Sequence, residues 1–82
     1  MQDANAPAGP RILVIDDEES VRYSFRRVFA AEGVDVLTAT TAAEGLETFR
    51  RAGPRVVVLD LQLPDRSGLE LFRELHAEAP KC

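Results

Sequence analysis

Arg55-Val56-Val57-Val58-Leu59-Asp60 is the stretch on which the fold turns. Four apolar residues in a row, three of them β-branched, run straight into a carboxylate. Continuous apolarity, as opposed to alternation, marks a strand covered on both faces, as in a parallel sheet. A second stretch of the same kind stands near the start of the chain. Arg11-Ile12-Leu13-Val14-Ile15 is apolar after its first residue and rich in β-branched residues, and it stops at Asp16-Asp17-Glu18-Glu19.

Helical patterns lie between and after these strands. Residues 19–32 place Val21, Phe25, Val28 and Phe29 on one side, with acidic residues at the start and Gly33 as the C-cap candidate. A second strand is expected over residues 34–40. Thr41-Ala42-Ala43-Glu44 then has the form of a capping box, opening a helix to about Ala52 that would bury Ala43, Leu46 and Phe49. Gly53-Pro54 stops it. Beyond the third strand comes a loop over residues 61–66 that contains Pro64. Ser67-Gly68-Leu69-Glu70 is a second capping-box pattern, and its helix runs to about Glu78 with Leu69, Phe72, Leu75 and His76 along one side. The four phenylalanines, Phe25, Phe29, Phe49 and Phe72, read as core. The order β-α-β-α-β-α with short connections implies a parallel sheet with helices on both faces.

Composition narrows the function classes. The chain has 82 residues, enough for one domain, and a net charge of −4. Nine arginines and one lysine are dispersed, so there is no basic stripe for nucleic acid. The apolar runs are of strand length, far short of a membrane span. Residues 1–10 lack the basic start and apolar segment of a signal peptide and read as a flexible leader. One cysteine, Cys82, and one histidine, His76, supply no disulfide or zinc framework. A cytoplasmic protein is the default expectation. His76 reads as packing or surface.

Chemistry concentrates in the acidic residues. Asp16 and Asp17 follow the first strand, and Asp60 ends the third. In a parallel sheet those ends point the same way, and neighbouring strands lie about 4.8 Å apart. If strands one and three are neighbours, the order is 2-1-3. Winding then reverses at strand one, which opens the kind of crevice where open α/β sheets bind ligands. Carboxylates this close repel by roughly 3 kcal/mol per pair at about 6 Å and an effective dielectric near 20. A proton or a cation must relieve that. All-oxygen donors with room for water suit Mg2+, the usual partner of phosphoryl transfer. A carboxylate such as Asp60 can itself attack phosphorus. Taken singly, Asp16 or Asp17 reads first as loop solvation or a helix cap; two clusters at equivalent strand ends favour a site.

The segments Ile12-Leu13-Val14-Ile15-Asp16-Asp17-Glu18 and Val57-Val58-Leu59-Asp60-Leu61-Gln62-Leu63-Pro64-Asp65-Arg66-Ser67-Gly68 resemble the opening and the phosphoacceptor segment of two-component response-regulator receiver domains. The likeness runs from Arg11 to about Pro80, and the first helix is most like regulators of the NtrC type. It implies a CheY-like, flavodoxin-like α/β fold with strand order 2-1-3. It also implies that Asp60 is the phosphorylated residue, that Asp17 and Asp16 bind Mg2+, and that the backbone carbonyl of Gln62 is a further ligand. Pro64 and Gly68 would shape the loop and start the third helix. The phosphoryl donor would be a phosphohistidine on a sensor histidine kinase. Such a protein is a phosphoacceptor and not an enzyme, with self-catalysed transfer at most.

The same resemblance predicts two further β-α units, bearing a Ser or Thr and a Lys that contact the phosphoryl group. Residues 11–82 therefore read as an incomplete receiver after a leader, residues 1–10, and Lys81 does not match that lysine. The third strand would be an open edge, inviting self-association. Rival readings fall short. A Walker B strand needs a Gly-x-x-x-x-Gly-Lys-Ser/Thr loop, which is absent. A haloacid-dehalogenase-like nucleophile has a second Asp where this chain has Gln62. A receiver-like interaction module that is never phosphorylated remains the alternative.

Overall fold

The computed structural model describes residues 10–82; most of the expected leader lies outside the described residues. The elements are β1 (Arg11–Ile15), α1 (Glu19–Ala30), β2 (Asp35–Ala39), α2 (Ala42–Ala52), β3 (Val56–Leu59) and α3 (Gly68–Glu78). The three strands form one parallel sheet in the order β2-β1-β3. Ile15 stands opposite Ala39 on one side and Leu59 on the other. The expected order 2-1-3 is therefore present, and β1 is central.

Central position explains why β1 is the most deeply buried element. Leu13, Val14 and Ile15 are fully enclosed. Side chains alternate along a strand. Leu13 and Ile15 join the main core with Ala39, Ala42, Phe49, Leu71 and Leu75, while Val14 points to the other face. Helices α2 and α3 cover the Leu13–Ile15 face. Arg50 of α2 binds Glu78 and Glu74 of α3, which clamps the two helices together along their outer side, and Arg66, in the loop before α3, binds Glu74 at 3.1 Å. Because winding reverses at β1, the right-handed crossover places α1 on the opposite face.

Several packing expectations need correction. Helix α1 ends at Ala30, earlier than Glu32, and contributes no fully buried residue. Phe25 and Phe29 stack at 6.1 Å between ring centroids and are only half-buried, and Val28 is exposed. Helix α2 buries Ala42, Gly45, Thr48 and Phe49, whereas Ala43 is exposed and Leu46 half-buried. The cause is close approach: a Cβ on Gly45 would lie 2.6 Å from Cδ1 of Ile15, so the helix rests on β1 through its glycine. Helix α3 buries Gly68, Leu71 and Leu75, and leaves Leu69, Phe72 and His76 exposed. Its rotation is set at its first residue, where a Cβ on Gly68 would overlap the carbonyl oxygen of Asp60 and lie 2.7 Å from Cα of Leu61. Leu71, one turn on, is then carried into the core. Phe72 and His76 stack on each other beside β3.

Candidate phosphoacceptor site

The register places the next residues after Ile15 and Leu59 side by side at the carboxyl rim of the sheet. The ladder continues into the site, since the Asp60 amide donates to the Ile15 carbonyl at 2.9 Å and the Asp16 amide to the Ala39 carbonyl at 3.0 Å. Both residues are thereby fixed by backbone bonds to a neighbouring strand. Oxygens of Asp16, Asp17 and Asp60 all lie within 4.8 Å of one another. Asp16 and Asp60 are half-buried and Asp17 is exposed.

Local turns orient the carboxylates. Oδ1 of Asp16 accepts the Glu18 amide at 2.9 Å, and Oδ1 of Asp60 accepts the Gln62 amide at 3.1 Å. Each is a side chain bonded to the backbone two residues on, a turn that Asp makes readily. Arg22 of α1 donates to the Asp16 carbonyl at 2.8 Å, which holds the first loop down. Among the described residues, no arginine or lysine forms an ion pair with the three carboxylates. Three oxygen donors without a protein counter-charge fit a hard divalent cation. An octahedral Mg2+ with bonds of about 2.1 Å separates its ligands by about 3 to 4.2 Å, close to the spacing present.

The loop after Asp60 is folded on itself. The Gly68 amide donates to the Leu61 carbonyl at 2.9 Å, and Gln62 pairs antiparallel with Ser67. Leu63 packs against the core. The second capping-box pattern is only half realised: Ser67 Oγ accepts the Leu69 amide, while Glu70 turns to Arg66. Arg66 runs along α3 toward Glu70 and Glu74, away from the acidic cluster. The first forms in shifted form: Thr41 Oγ1 accepts the Glu44 amide at 3.1 Å, while the Glu44 carboxylate reaches one residue past the N-cap and accepts the Thr40 amide at 2.8 Å.

One residue quoted in the motif received no role in the sequence reading. Asp65 spans 22 to 23 residues to cap α2, accepting the Ala42 amide on Oδ1 at 2.8 Å and the Ala43 amide on Oδ2 at 2.9 Å. These two amides hold the Asp65 carboxyl below the usual carboxylate range, the Ala42 bond contributing most. A signal did exist, because an acidic residue in a loop at the carboxyl rim has helix N-termini beside it. His76 and Cys82 stand elsewhere, His76 beside Phe72 and Cys82 near the Pro54 and Arg55 carbonyls.

Comparisons with known proteins agree with this geometry. The response regulator receiver domain family matches residues 12–82. The aerobic respiration control protein ArcA of Escherichia coli is 39% identical over 70 residues, covering 85% of this chain and 29% of ArcA. Among solved structures, a CheY-like receiver domain protein from Methanospirillum hungatei superposes with a TM-score of 0.83 at 34% identity, covering 87% of this chain and 57% of that one. TrrA of Thermotoga maritima, in complex with Mg2+-BeF, superposes with a TM-score of 0.81 at 33% identity, covering 88% and 63%. The chain thus spans about three tenths of the curated relative's length and rather more than half of each solved chain. Family match, strand order and acidic rim agree, and the chain belongs to the response-regulator receiver domains, the CheY-like signalling modules of two-component systems.

Proposed function

We propose that this chain is the phosphoacceptor part of a receiver, taking a phosphoryl group onto Asp60 from a phosphohistidine of a sensor histidine kinase. The observation that carries this is the convergence of Asp16, Asp17 and Asp60 within 4.8 Å at the rim. Asp16, Asp17, Asp60 and the backbone carbonyl of Gln62 would hold Mg2+, which neutralises phosphoryl charge when bound. That a similar protein, TrrA, is known in complex with Mg2+-BeF supports the choice of metal.

The chain's own residues would divide the work. Oδ1 of Asp60 is engaged by the Gln62 amide, which fixes the plane of the carboxylate and leaves Oδ2 to attack phosphorus. A new O–P bond forms, the P–N bond to the donor imidazole breaks, and the imidazole keeps the electron pair and takes a proton. The Asp16 turn and Arg22 hold the first loop in place during the transfer. Residues 11–82 would be the first three β-α units of the domain, with the phosphoryl-contacting hydroxyl and lysine supplied by later units.

The test uses two proteins, the 82-residue chain and a chimera that continues it with the last two units of a related receiver. Each is incubated with labelled acetyl phosphate and Mg2+. The chimera is expected to take an acid-stable, base-labile label that disappears without Mg2+, and the short chain little. Equal labelling of Asp60→Asn and wild type would sink the assignment. A chimera that folds and never labels would favour the interaction-module alternative.

A further inference from the structure

Helix α2 has three N-terminal amides to satisfy, and two different elements supply the acceptors. Thr41, from the helix's own leading residue, takes the Glu44 amide. Asp65, from the loop that follows Asp60, takes those of Ala42 and Ala43 with one oxygen each. The next amide, that of Gly45, already bonds to the Thr41 carbonyl at 2.9 Å. A residue immediately before the helix is the usual source of a cap. Two acceptors reaching from 22 to 23 residues away do something a local cap does not, since they tie the loop to the helix.

The tied loop is the one that carries Gln62. Its base is closed by the Gly68–Leu61 bond and the Gln62–Ser67 pairing, and its inner side by Leu63 against the core. Asp65 fastens the outer limb. Only Leu63 and Pro64 separate it from Gln62, and the proline ring locks one of the intervening torsions. Displacement at Asp65 therefore passes to the Gln62 backbone, whose amide orients Asp60.

We propose that Asp65 is a positioning residue of the receiver site, holding the Gln62 segment against the N-terminus of α2 so that Asp60 and the Gln62 carbonyl are preorganised for a divalent cation. The proposal rests on the reading of Asp16, Asp17 and Asp60 as that cation's site. Coupling between two sites is reciprocal. Mg2+ binding at the rim should therefore slow amide exchange at Ala42 and Ala43, a turn of helix that holds none of the three carboxylates.

Mg2+ titration followed by amide NMR, on the 82-residue chain and on the chimera, tests this with Asp65→Ala, Asp65→Asn and Thr41→Ala. Groups bonded directly to metal ligands typically change affinity by about tenfold or more when removed, and Asp65 acts one step further out, through the loop backbone. Asp65→Ala is expected to weaken Mg2+ binding by up to about tenfold, to speed exchange across residues 61–66, and to abolish the Mg2+-dependent protection of Ala42 and Ala43. Asp65→Asn, which keeps one acceptor oxygen, should fall between and serves if the alanine variant unfolds. Thr41→Ala uncaps the same helix without touching the loop, and should lower the melting temperature while leaving Mg2+ affinity unchanged. Wild-type affinity in folded Asp65→Ala or Asp65→Asn, or an equal loss in Thr41→Ala, overturns the proposal alone. Absence of Mg2+-induced shifts at Asp17 and Asp60 in the wild type overturns the site itself.

Discussion

Helices α1 and α2 are similar in length and both have an apolar stripe, yet one is built into the core and the other lies on it. Helix α2 buries four residues, is capped by Thr41 and Asp65 at its start, and ends on Gly53 in the left-handed conformation. Helix α1 buries none and begins at Glu18 with no side-chain cap. The difference comes from the neighbours. On the α2 face, α3 lies alongside, so two helices and the sheet enclose one core. On the other face α1 is alone among the described residues. Three strands at about 4.8 Å spacing make a surface about as wide as one helix, so a single helix there keeps one flank in water. An amphipathic pattern states which side of a helix is apolar; it does not state how many partners will cover it.

The widest gap between the two helices should appear on truncation of a core side chain. Phe49→Ala in α2 is expected to cost about 3–5 kcal/mol, enough to unfold a chain this small, while Val28→Ala in α1, 61% exposed, should stay within about 0.5 kcal/mol. Urea denaturation followed by circular dichroism measures both; comparable losses would mean that α1 is as deeply packed as α2. Next in size is Gly45→Ala. Its new methyl meets Ile15, so about 1–3 kcal/mol should be lost, against the gain that alanine brings at an exposed helix position. Unchanged stability there would show that α2 does not rest on β1 through its glycine.

Caps give a smaller contrast that runs in both directions. Thr41→Ala should cost about 1 kcal/mol, and Glu18→Ser, which offers α1 the cap it lacks, should return up to about that amount. If Glu18→Ser adds nothing while Thr41→Ala costs stability, the start of α1 is limited by more than its missing cap. The smallest effect is on pH dependence. Backbone amides hold Asp65, and the Arg50 guanidinium holds Glu78, below the ordinary carboxylate range. A carboxyl with a depressed folded pKa contributes fully above its unfolded value of about 4 and loses that contribution as pH falls through the folded value. Melting temperatures below about pH 4 should therefore fall less steeply in Asp65→Asn than in wild type. Parallel acid limbs in the two proteins would rule out a native-state role for the Asp65 carboxylate.

Much of the site was legible because it depends on strand ends. Two apolar runs that stop at Asp16-Asp17 and at Asp60 announce parallel strands with carboxylates on one rim, and the order 2-1-3 follows if those ends are to meet. Helix faces were harder. In α3 the apolar residues Leu69, Leu71, Phe72 and Leu75 cover more than one stripe, and periodicity favoured the stripe through Phe72 and His76. Contact between Gly68 and the Asp60 backbone turned the helix to bury Leu71 instead. Asp65 escaped notice because its partners, Ala42 and Ala43, are remote in sequence and offer only backbone amides, which every residue but proline has.

The sequence by itself determined the alternation of strands and helices, the receiver family, and the three acidic side chains of the rim, because these follow from runs and spacings of a few residues. Tertiary structure alone decided which flank of each helix is buried, that Glu70 serves Arg66 and not a capping box, and that the loop after Asp60 is moored to α2 through Asp65. Those outcomes depend on distances between elements far apart along the chain, and such distances are set only when the layers close on one another.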